Sequence, residues 1–159
     1  MHKDMRRKDR LLTDAEARAI LEKCEYGTLA TVTAANEPYA VPLSYVLTGD
    51  IIYFHSALKG EKIDNIEHNN SICFSVVGSQ EPTAEGGYSM YYESCTVFGK
   101  ARRVTDEKEF RDSLMALTVK YFPDNLDIFE SEFTSQLKAT AVYAVSIDRM
   151  TGKSKKKPA

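Results

Sequence analysis

Four side chains that can bind an anion lie close together where a predicted strand meets a predicted helix. They are His55, Ser56, Lys59 and Lys62. Their imidazole, hydroxyl and ammonium groups can donate hydrogen bonds to a phosphate. A helix N-terminus adds unpaired backbone N–H groups and a partial positive charge, which also favour an anion. This arrangement predicts a phosphate site, and an ordinary capped connection with a solvated face is the alternative.

The elements that position these side chains are a short apolar strand and an amphipathic helix. Residues 51–55 are rich in β-formers, and residues 59–68 place Ile63 and Ile66 on one helical face. The segment lacks the glycine order of a P-loop and that of a dinucleotide-binding fold. It therefore supports neither an ATPase nor a Rossmann-type dehydrogenase.

The composition indicates one domain over residues 1–159, with flexible basic ends at about 1–10 and 153–159. The chain is 43% hydrophobic, which suffices for a substantial core. Residues 11–152 carry a net charge of minus nine, so a specific nucleic-acid surface is not expected. Neither a membrane-spanning stretch nor a secretory signal is recognisable, and we expect a cytoplasmic protein without a membrane partner.

The cysteines and histidines show no metal-binding spacing. Cys24, Cys73 and Cys95 are odd in number and widely separated, which argues against a disulfide framework and a zinc site. We expect them to be small buried side chains. No metal site is predicted.

The remaining pattern predicts strands with helices at the edges. A capping box, Thr13 to Glu16, begins a helix at Asp14, and Gly27 is a candidate left-handed terminator after it. The predicted strands are 28–33, 39–47, 51–55, 71–77, 88–104 and 139–147, with a loop at 78–87 and a bend near Gly99. Further helices are expected from 105 to Pro123 and at about 126–137. Successive strands 28–33, 39–47 and 51–55 suggest an antiparallel meander within a closed β-barrel of an α+β domain.

Several motifs, in order along nearly the whole chain, are similar to those of a known family. They are Met5-Arg6-Arg7-Lys8, Gly27-Thr28-Leu29-Ala30, Pro38 to Tyr45, Tyr53-Phe54-His55-Ser56-Ala57 with Gly60 and Lys62, Val97 to Ala101, and Met150-Thr151-Gly152-Lys153. The chain resembles the Nim-type, or nitroimidazole-resistance, branch of the pyridoxamine 5′-phosphate oxidase-like split-barrel flavoproteins.

This resemblance implies a mainly β, α+β fold: a six-stranded antiparallel split β-barrel with flanking helices, which forms a homodimer. It implies FMN, or alternatively FAD, in two clefts at the subunit interface. By position, Lys62 matches the basic residue that binds the flavin phosphate. His55 and Ser56 match the strand end along the phosphate and ribityl region, and Lys59 is a further candidate.

The resemblance also places the strand Val41, Pro42, Leu43, Ser44 and Tyr45 along the isoalloxazine ring. Pro42 lacks a ladder donor and is tolerated where a strand faces a ligand or an edge, so nearby backbone groups could pair with the ring. A plain edge strand is the alternative. Tyr92 and Lys100, with Tyr91, are candidates from the second subunit, although tyrosine-rich strands also stabilise barrels and dimer interfaces.

The resemblance implies that the protein is a flavin-dependent oxidoreductase. The more specific prediction is a nitroreductase that acts on small nitroaromatic compounds. NAD(P)H is the expected electron donor, and His55 is the candidate proton donor because its ordinary pKa suits that role. A phosphate-binding or structural His55 is the alternative. A flavin- or haem-binding carrier or sensor without rapid turnover is the competing function, and a structural dimer with an empty cleft is the third.

Overall fold

Seven antiparallel strands and four α-helices make up the described chain, which covers residues 4–83, 88–136 and 139–157 of a computed structural model. The helices are α1 (Asp14–Lys23), α2 (Glu61–His68), α3 (Glu107–Tyr121) and α4 (Phe129–Gln136). The strands are β1 (Tyr26–Val32), β2 (Pro38–Ser44), β3 (Val46–Thr48), β4 (Ile51–Ala57), β5 (Ser71–Pro82), β6 (Met90–Arg103) and β7 (Thr140–Lys155). Short 3-10 turns cover Lys8–Arg10 and Pro123–Ile128.

Local signals fix where the long helices begin. The Thr13 hydroxyl accepts the Glu16 N–H, and the Glu16 carboxylate accepts the Thr13 N–H at 2.9 Å, so the predicted capping box is confirmed. Helix α3 follows Asp106, whose carboxylate accepts the Glu109 N–H at 2.8 Å. It ends two residues before Pro123, which cannot continue a helix.

All strands belong to one sheet with the order β2-β1-β5-β6-β7-β4-β3. The two outermost strands, β2 and β3, are separated in the chain by Tyr45 alone. Because neighbouring Cα atoms are about 3.8 Å apart, the sheet must curl until its two edges approach each other at Tyr45. This arrangement is a split β-barrel, and the predicted α+β split-barrel class is confirmed, whereas the homodimer stays a prediction.

Two of the strand predictions were wrong at this seam. The predicted strand 39–47 is divided at Tyr45 into β2 and β3, so the sheet has seven strands rather than six. The predicted meander is also interrupted there. Its antiparallel pairs β1–β2 and β3–β4 are present, but β2 and β3 lie at opposite ends of the strand order, and β4 pairs with β7 on its other side. A continuous apolar sequence does not reveal a strand that changes from one sheet edge to the other.

The strands β5 and β7 run further than their hydrophobic patterns predicted. Strand β5 extends to Pro82 into the predicted loop, and the remaining loop residues 84–87 lie outside the described chain. Strand β7 extends to Lys155 because it pairs with β6 as far as Tyr92, so residues 153–155 belong to a strand, and a flexible end stays a prediction. An irregularity does lie near Gly99, as predicted, but the extra residue is Asp148 of β7: the β6–β7 pairing shifts between Phe98 and Gly99, whereas β6 stays in register with β5.

Gly27 does not terminate α1 in a left-handed conformation. The helix ends at Cys24, whose backbone is extended, and Gly27 lies buried inside β1 with no positive φ. A Cβ at this position would lie 2.4 Å from the Phe74 ring and 2.8 Å from the Val76 side chain. The glycine therefore permits close packing rather than a turn.

The core lies mainly inside the barrel, and a second cluster lies under α3. Helices α1 and α2 contribute Leu21, Ile63 and Ile66 to the interior. Helix α3 instead packs its Phe110 and Leu114 against the outer side of β4 and β7. Of the three cysteines, Cys24 and Cys95 are buried and Cys73 is half-buried, and all are free.

On the outer side of β1, β2, β5 and β6, a patch of 12 residues carries no charge, and the described helices leave most of it uncovered; Lys100 and Arg102 follow on the same side of β6 beyond the patch. The patch consists of residues that alternate along β1, β2, β5 and β6 with residues facing the core. They are Thr28, Ala30, Val32, Ala40, Pro42, Ser44, Cys73, Ser75, Val77, Ser94, Thr96 and Phe98. We refer to these residues as the uncovered sheet face. No helix in the described ranges has the length and apolar character needed to cross a membrane.

Candidate functional site

The β4–α2 junction supplies the backbone geometry expected for an anion site. Gly60 precedes α2 with φ 144°, a conformation that glycine adopts far more readily than other residues. The first bonds inside the helix run from the Ile63 and Asp64 N–H groups to the Gly60 carbonyl, at 2.8 and 3.1 Å. The amides of Glu61 and Lys62 therefore precede the helical ladder, as in the first turn of any helix.

Buried side chains hold this helix N-terminus in place. Ile63, Asn65 and Ile66 are buried, and the Asn65 side-chain amide donates to the Thr31 hydroxyl at 3.1 Å. The first turn carries Lys62 together with the carboxylates of Glu61 and Asp64. An anion here would rely on Lys62 and the amides, because the turn as a whole is not basic.

His55 and Lys62 lie on the same side of the junction and interact electrostatically. The His55 side chain reaches solvent, yet it lies in a concave surface where surrounding protein atoms disfavour the imidazolium. This desolvation, and then the positive charge of Lys62, lowers the pKa of His55 below its usual value. The two candidate residues are thus brought together, and an anion bound near them would stabilise protonated His55.

Ser56 and Lys59 occupy different environments from His55. Successive strand residues face opposite sides, so Ser56 points to the barrel interior, where it is 7% exposed. Its hydroxyl has no hydrogen-bond partner among the described groups. Lys59 is exposed in the link between β4 and α2.

The predicted ring-binding strand presents alternating faces. Val41 and Leu43 pack against the core, whereas Pro42 and Ser44 lie on the uncovered sheet face at the open edge of the sheet. Pro42 lies opposite Thr28 without an N–H group to donate, as the edge-strand argument required. Tyr45 is fully buried, and its hydroxyl donates to the Leu21 carbonyl.

The end of α3 fixes the backbone of Tyr45, a feature that the sequence did not reveal. The Tyr121 hydroxyl accepts a hydrogen bond from the Tyr45 N–H at 2.9 Å. The same hydroxyl can donate to the Tyr45 carbonyl, at 2.7 Å, or to the Glu25 carbonyl. Lys120 donates to the Cys24 carbonyl at 2.7 Å and lies over the Tyr45 ring. The only sequence signal was a tyrosine in the last turn of a helix, far from these partners in the chain.

A cavity of about 520 Å³ lies beside His55, between the sheet and the segment from α3 to α4. The sheet contributes Ser44, His55 and Thr140 to its lining, and the helical segment contributes Leu114, Leu117, Thr118, Tyr121, Phe122, Asn125, Ile128, Phe129, Glu132 and Phe133. We refer to it as the His55 cavity. It connects residues from both predicted site strands, β2 and β4, which lie far apart in the hydrogen-bonding order of the sheet.

Tyr92 and Lys100 lie away from His55 within the same chain. Tyr92 pairs with Lys155 at the far end of β7, whereas His55 pairs with Val142 near its start. Lys100 pairs with Ser146, which in turn pairs with Ile51. Within one chain, neither residue lies beside His55, and their supply by a second subunit stays a prediction from the resemblance. Within the described ranges, no cluster of histidine, cysteine or acidic residues could hold a metal.

The strand order and the position of the junction define a split-barrel protein. The chain belongs to the pyridoxamine 5′-phosphate oxidase family, whose sequence model matches residues 13–154. The family predicted from the motifs is thereby confirmed. None of the curated proteins matches the chain significantly.

Solved structures share this fold at low sequence identity. A candidate 5-nitroimidazole antibiotic resistance protein from Bacteroides thetaiotaomicron VPI-5482 has a TM-score of 0.77 and 24% identity, over 90% of this chain and 85% of that one. An FAD-binding protein from Mesorhizobium loti has a TM-score of 0.64 and 20% identity, over 92% and 98%. An FAD- and haem-binding protein from Mycobacterium smegmatis has a TM-score of 0.74 and 22% identity, over 92% and 74%.

Proposed function

We propose that this protein is a flavin-dependent oxidoreductase that binds FMN at the β4–α2 junction. The observation that carries this proposal is the β4–α2 junction itself: His55 lies near the end of β4, Gly60 precedes α2 with φ 144°, and Lys62 lies in the first turn of α2, all within the part of the chain that the family model matches. Proteins of similar fold that bind FAD add support, since they share the flavin ring and phosphate.

The chain's own groups fit a flavin phosphate and a flavin ring. Lys62 and the first amides of α2 would hold the phosphate, because charge-assisted hydrogen bonds to a helix N-terminus favour a dianion. The open edge of β2 at Pro42 and Ser44 would offer backbone groups to the polar rim of the ring. When bound, the flavin supplies two-electron transfer from a reduced nicotinamide to an acceptor.

A small nitroaromatic compound is the proposed acceptor. One turnover would consume one NAD(P)H, one proton and the nitro compound, and would yield NAD(P)⁺, water and the nitroso compound. His55 is placed to deliver a proton, since it lines the cavity beside the proposed flavin site. Its lowered pKa disfavours the protonated form, and an anion nearby, such as the flavin phosphate, would oppose that shift.

We propose further that the protein is a homodimer that joins through the uncovered sheet face. The 12 residues of this face include no charged side chain, whereas 28% of all residues are charged. Depletion of charge is typical of interface cores. Ser44 belongs both to this face and to the lining of the His55 cavity, so a second subunit on the face would lie next to the proposed flavin site. Tyr92 and Lys100 of that subunit are the proposed additional contacts.

The first experiment is an absorption spectrum of the purified protein before and after addition of FMN, with the cofactor identified by mass. Flavin bands near stoichiometric occupancy, bleached by NAD(P)H and restored by a nitroaromatic compound, support the proposed function. A Soret band would instead indicate the haem carrier, and flavin binding without turnover would indicate a flavin carrier or sensor. Absence of any uptake contradicts the flavin proposal.

Replacement of Lys62 tests the phosphate site. Lys62→Ala is expected to weaken FMN binding by about 1.5–3 kcal/mol, because it removes a charge-assisted hydrogen bond. Lys59→Ala, which removes an exposed lysine three residues away, tests the further candidate and is expected to have the smaller effect, because Lys59 lies outside the first turn of α2. Fluorescence titration of FMN measures both affinities. Equal affinities for the Lys62→Ala variant and the unmodified protein would remove Lys62 from the site.

A further inference from the structure

The His55 cavity has the size and the walls of a small-molecule site. Its volume of about 520 Å³ lies within the range of about 300–1,000 Å³ that is typical of ligand pockets. Aromatic side chains dominate its helical wall, where Phe129 stacks on Phe133 with ring centroids 5.5 Å apart. Arg111 lies over both of these rings and pairs with Glu130, which holds the wall in place from outside the cavity.

The cavity is apolar at its rim as well as inside. Phe122 and Ile128 line it, yet they are 60% and 46% exposed. Large apolar side chains gathered around a concave surface favour an apolar ligand, since its binding removes them from water.

The charge of the lining selects against anions. The described lining residues include the carboxylate of Glu132 but no lysine or arginine. A carboxylate or phosphate in this cavity would lose hydration near the Glu132 carboxylate, and among the lining residues it would have His55 alone as a potential cationic partner, which is unfavourable. The β4–α2 junction differs from this lining because it carries a lysine, Lys62, that could bind a phosphate.

We propose that the His55 cavity binds a neutral planar aromatic molecule of one or two rings, and that it receives the acceptor of the proposed reaction. The flat rings of Phe122, Phe129 and Phe133 match such a molecule by offset or edge-to-face packing. His55 and Ser44 lie at the sheet side of the same cavity, so the ligand would contact both strands of the proposed flavin site. The role as acceptor site rests on the proposed function, whereas the binding itself does not.

The test compares two naphthalene ligands of similar size, one neutral and one anionic. The full chain, with and without FMN, is titrated with 2-naphthylmethanol and with 2-naphthoate by calorimetry. Neither compound has a nitro group to reduce, so binding is measured apart from turnover. We expect the alcohol to bind at least tenfold more tightly than the carboxylate. Equal affinity, tighter binding of the carboxylate, or no binding of the alcohol to either form overturns the proposal.

A matched pair of variants locates the binding. Thr118→Trp fills the cavity, and the hydroxyl that it removes donates only to the Leu114 carbonyl within the same helix. Val119→Trp is the control, because Val119 is 52% exposed and is not a lining residue. We expect Thr118→Trp to weaken naphthylmethanol binding at least tenfold and Val119→Trp to leave it unchanged. Unchanged binding in Thr118→Trp overturns the proposal.

A second variant guards against misfolding of Thr118→Trp. Phe122→Ala removes an exposed aromatic side chain at the rim of the cavity and is expected to weaken naphthylmethanol binding at least threefold, with an unchanged circular dichroism spectrum. Unchanged binding counts against the proposal.

FMN titration of the same preparations separates the cavity proposal from the proposed flavin-dependent function. Loss of FMN binding together with naphthylmethanol binding in Thr118→Trp would show that the flavin itself fills the cavity, which overturns a separate acceptor site. Failure of the unmodified chain to take up FMN while it still binds naphthylmethanol contradicts the proposed function alone.

Discussion

At the scale of single residues, the position of His55 beside Lys62 has a consequence for pH dependence. Desolvation and the charge of Lys62 lower the pKa of His55 in the folded chain below its ordinary value of 6.5. Between these two pKa values the unfolded chain holds more protons, so the free energy of unfolding rises with pH in that interval. The contribution of His55 to stability is therefore complete above pH 6.5 and is lost as the pH falls through the folded pKa.

Replacement of Lys62 should reduce this pH dependence. Lys62→Met removes the positive charge, so the pKa of His55 should rise towards its ordinary value and the loss of stability as the pH falls below 6.5 should become smaller. Lys59→Met is the control and should behave like the unmodified chain, because Lys59 does not contribute to the lowered pKa of His55. Urea unfolding across this pH range, with the His55 pKa followed by NMR, measures the effect. An unchanged His55 pKa in Lys62→Met would show that the two side chains do not interact.

At the scale of the elements, Tyr121 couples α3 to the seam of the barrel. Tyr121→Phe keeps the ring that lines the cavity but leaves the Tyr45 N–H without its partner, in a partly buried environment. We expect a loss of about 1–3 kcal/mol in the free energy of unfolding, the usual cost of an unsatisfied buried donor. Tyr26→Phe is the control, because Tyr26 is 69% exposed. Equal denaturation midpoints for the two variants would contradict a stabilising role for the Tyr121 hydroxyl.

Two glycines allow strands to pack closely, and they should differ in tolerance. A Cβ at Gly27 meets the Phe74 and Val76 side chains, which can shift, so Gly27→Ala should cost about 1–3 kcal/mol of stability. A Cβ at Gly99 would lie 2.0 Å from the Ser146 carbonyl oxygen, which cannot move without disturbing the β6–β7 pairing. Thermal unfolding should therefore rank Gly99→Ala as the more damaging substitution. The reverse order would show that the β6–β7 ladder adapts more easily than the core.

The same elements show how far the sequence predicts the fold. Capping at Thr13, the start of a helix close to Asp106, the stop near Pro123 and an irregularity near Gly99 are local effects, and the sequence predicted each of them. The division at Tyr45 depends on partners 76 residues away, so no local pattern indicates it. The extension of β7 beyond Ile147 likewise depends on pairing with β6, since its lysine-rich sequence is unfavourable for a strand.

The candidate site was likewise predictable where it depends on local sequence and unpredictable where it depends on distant parts of the chain. The β4–α2 junction follows from local composition and from the family motifs, and the sequence placed His55 and Lys62 there. The opposite orientations of His55 and Ser56 follow from strand alternation once the strand is known to continue to Ala57. The wall of the His55 cavity could not be predicted, because it depends on how α3 and α4 pack on the outer side of β4 and β7.

At the scale of the whole molecule, the uncovered sheet face determines whether the proposed flavin site is complete. Thr96→Lys places a charge in the middle of this face, on β6, where a partner subunit would have to bury it without an opposite charge. We expect this variant to be monomeric and to bind FMN at least tenfold more weakly, because Tyr92 and Lys100 of the second subunit would be lost from the site. Ala19→Glu is the control: it also adds one charge at an exposed position, on α1 with Lys23 four residues later.

Sedimentation velocity measures the oligomeric state of both variants, and FMN titration measures their affinity for the flavin. A monomeric Thr96→Lys variant with unchanged FMN affinity would mean that each subunit holds its flavin alone, whereas a dimeric variant would place the interface on another surface.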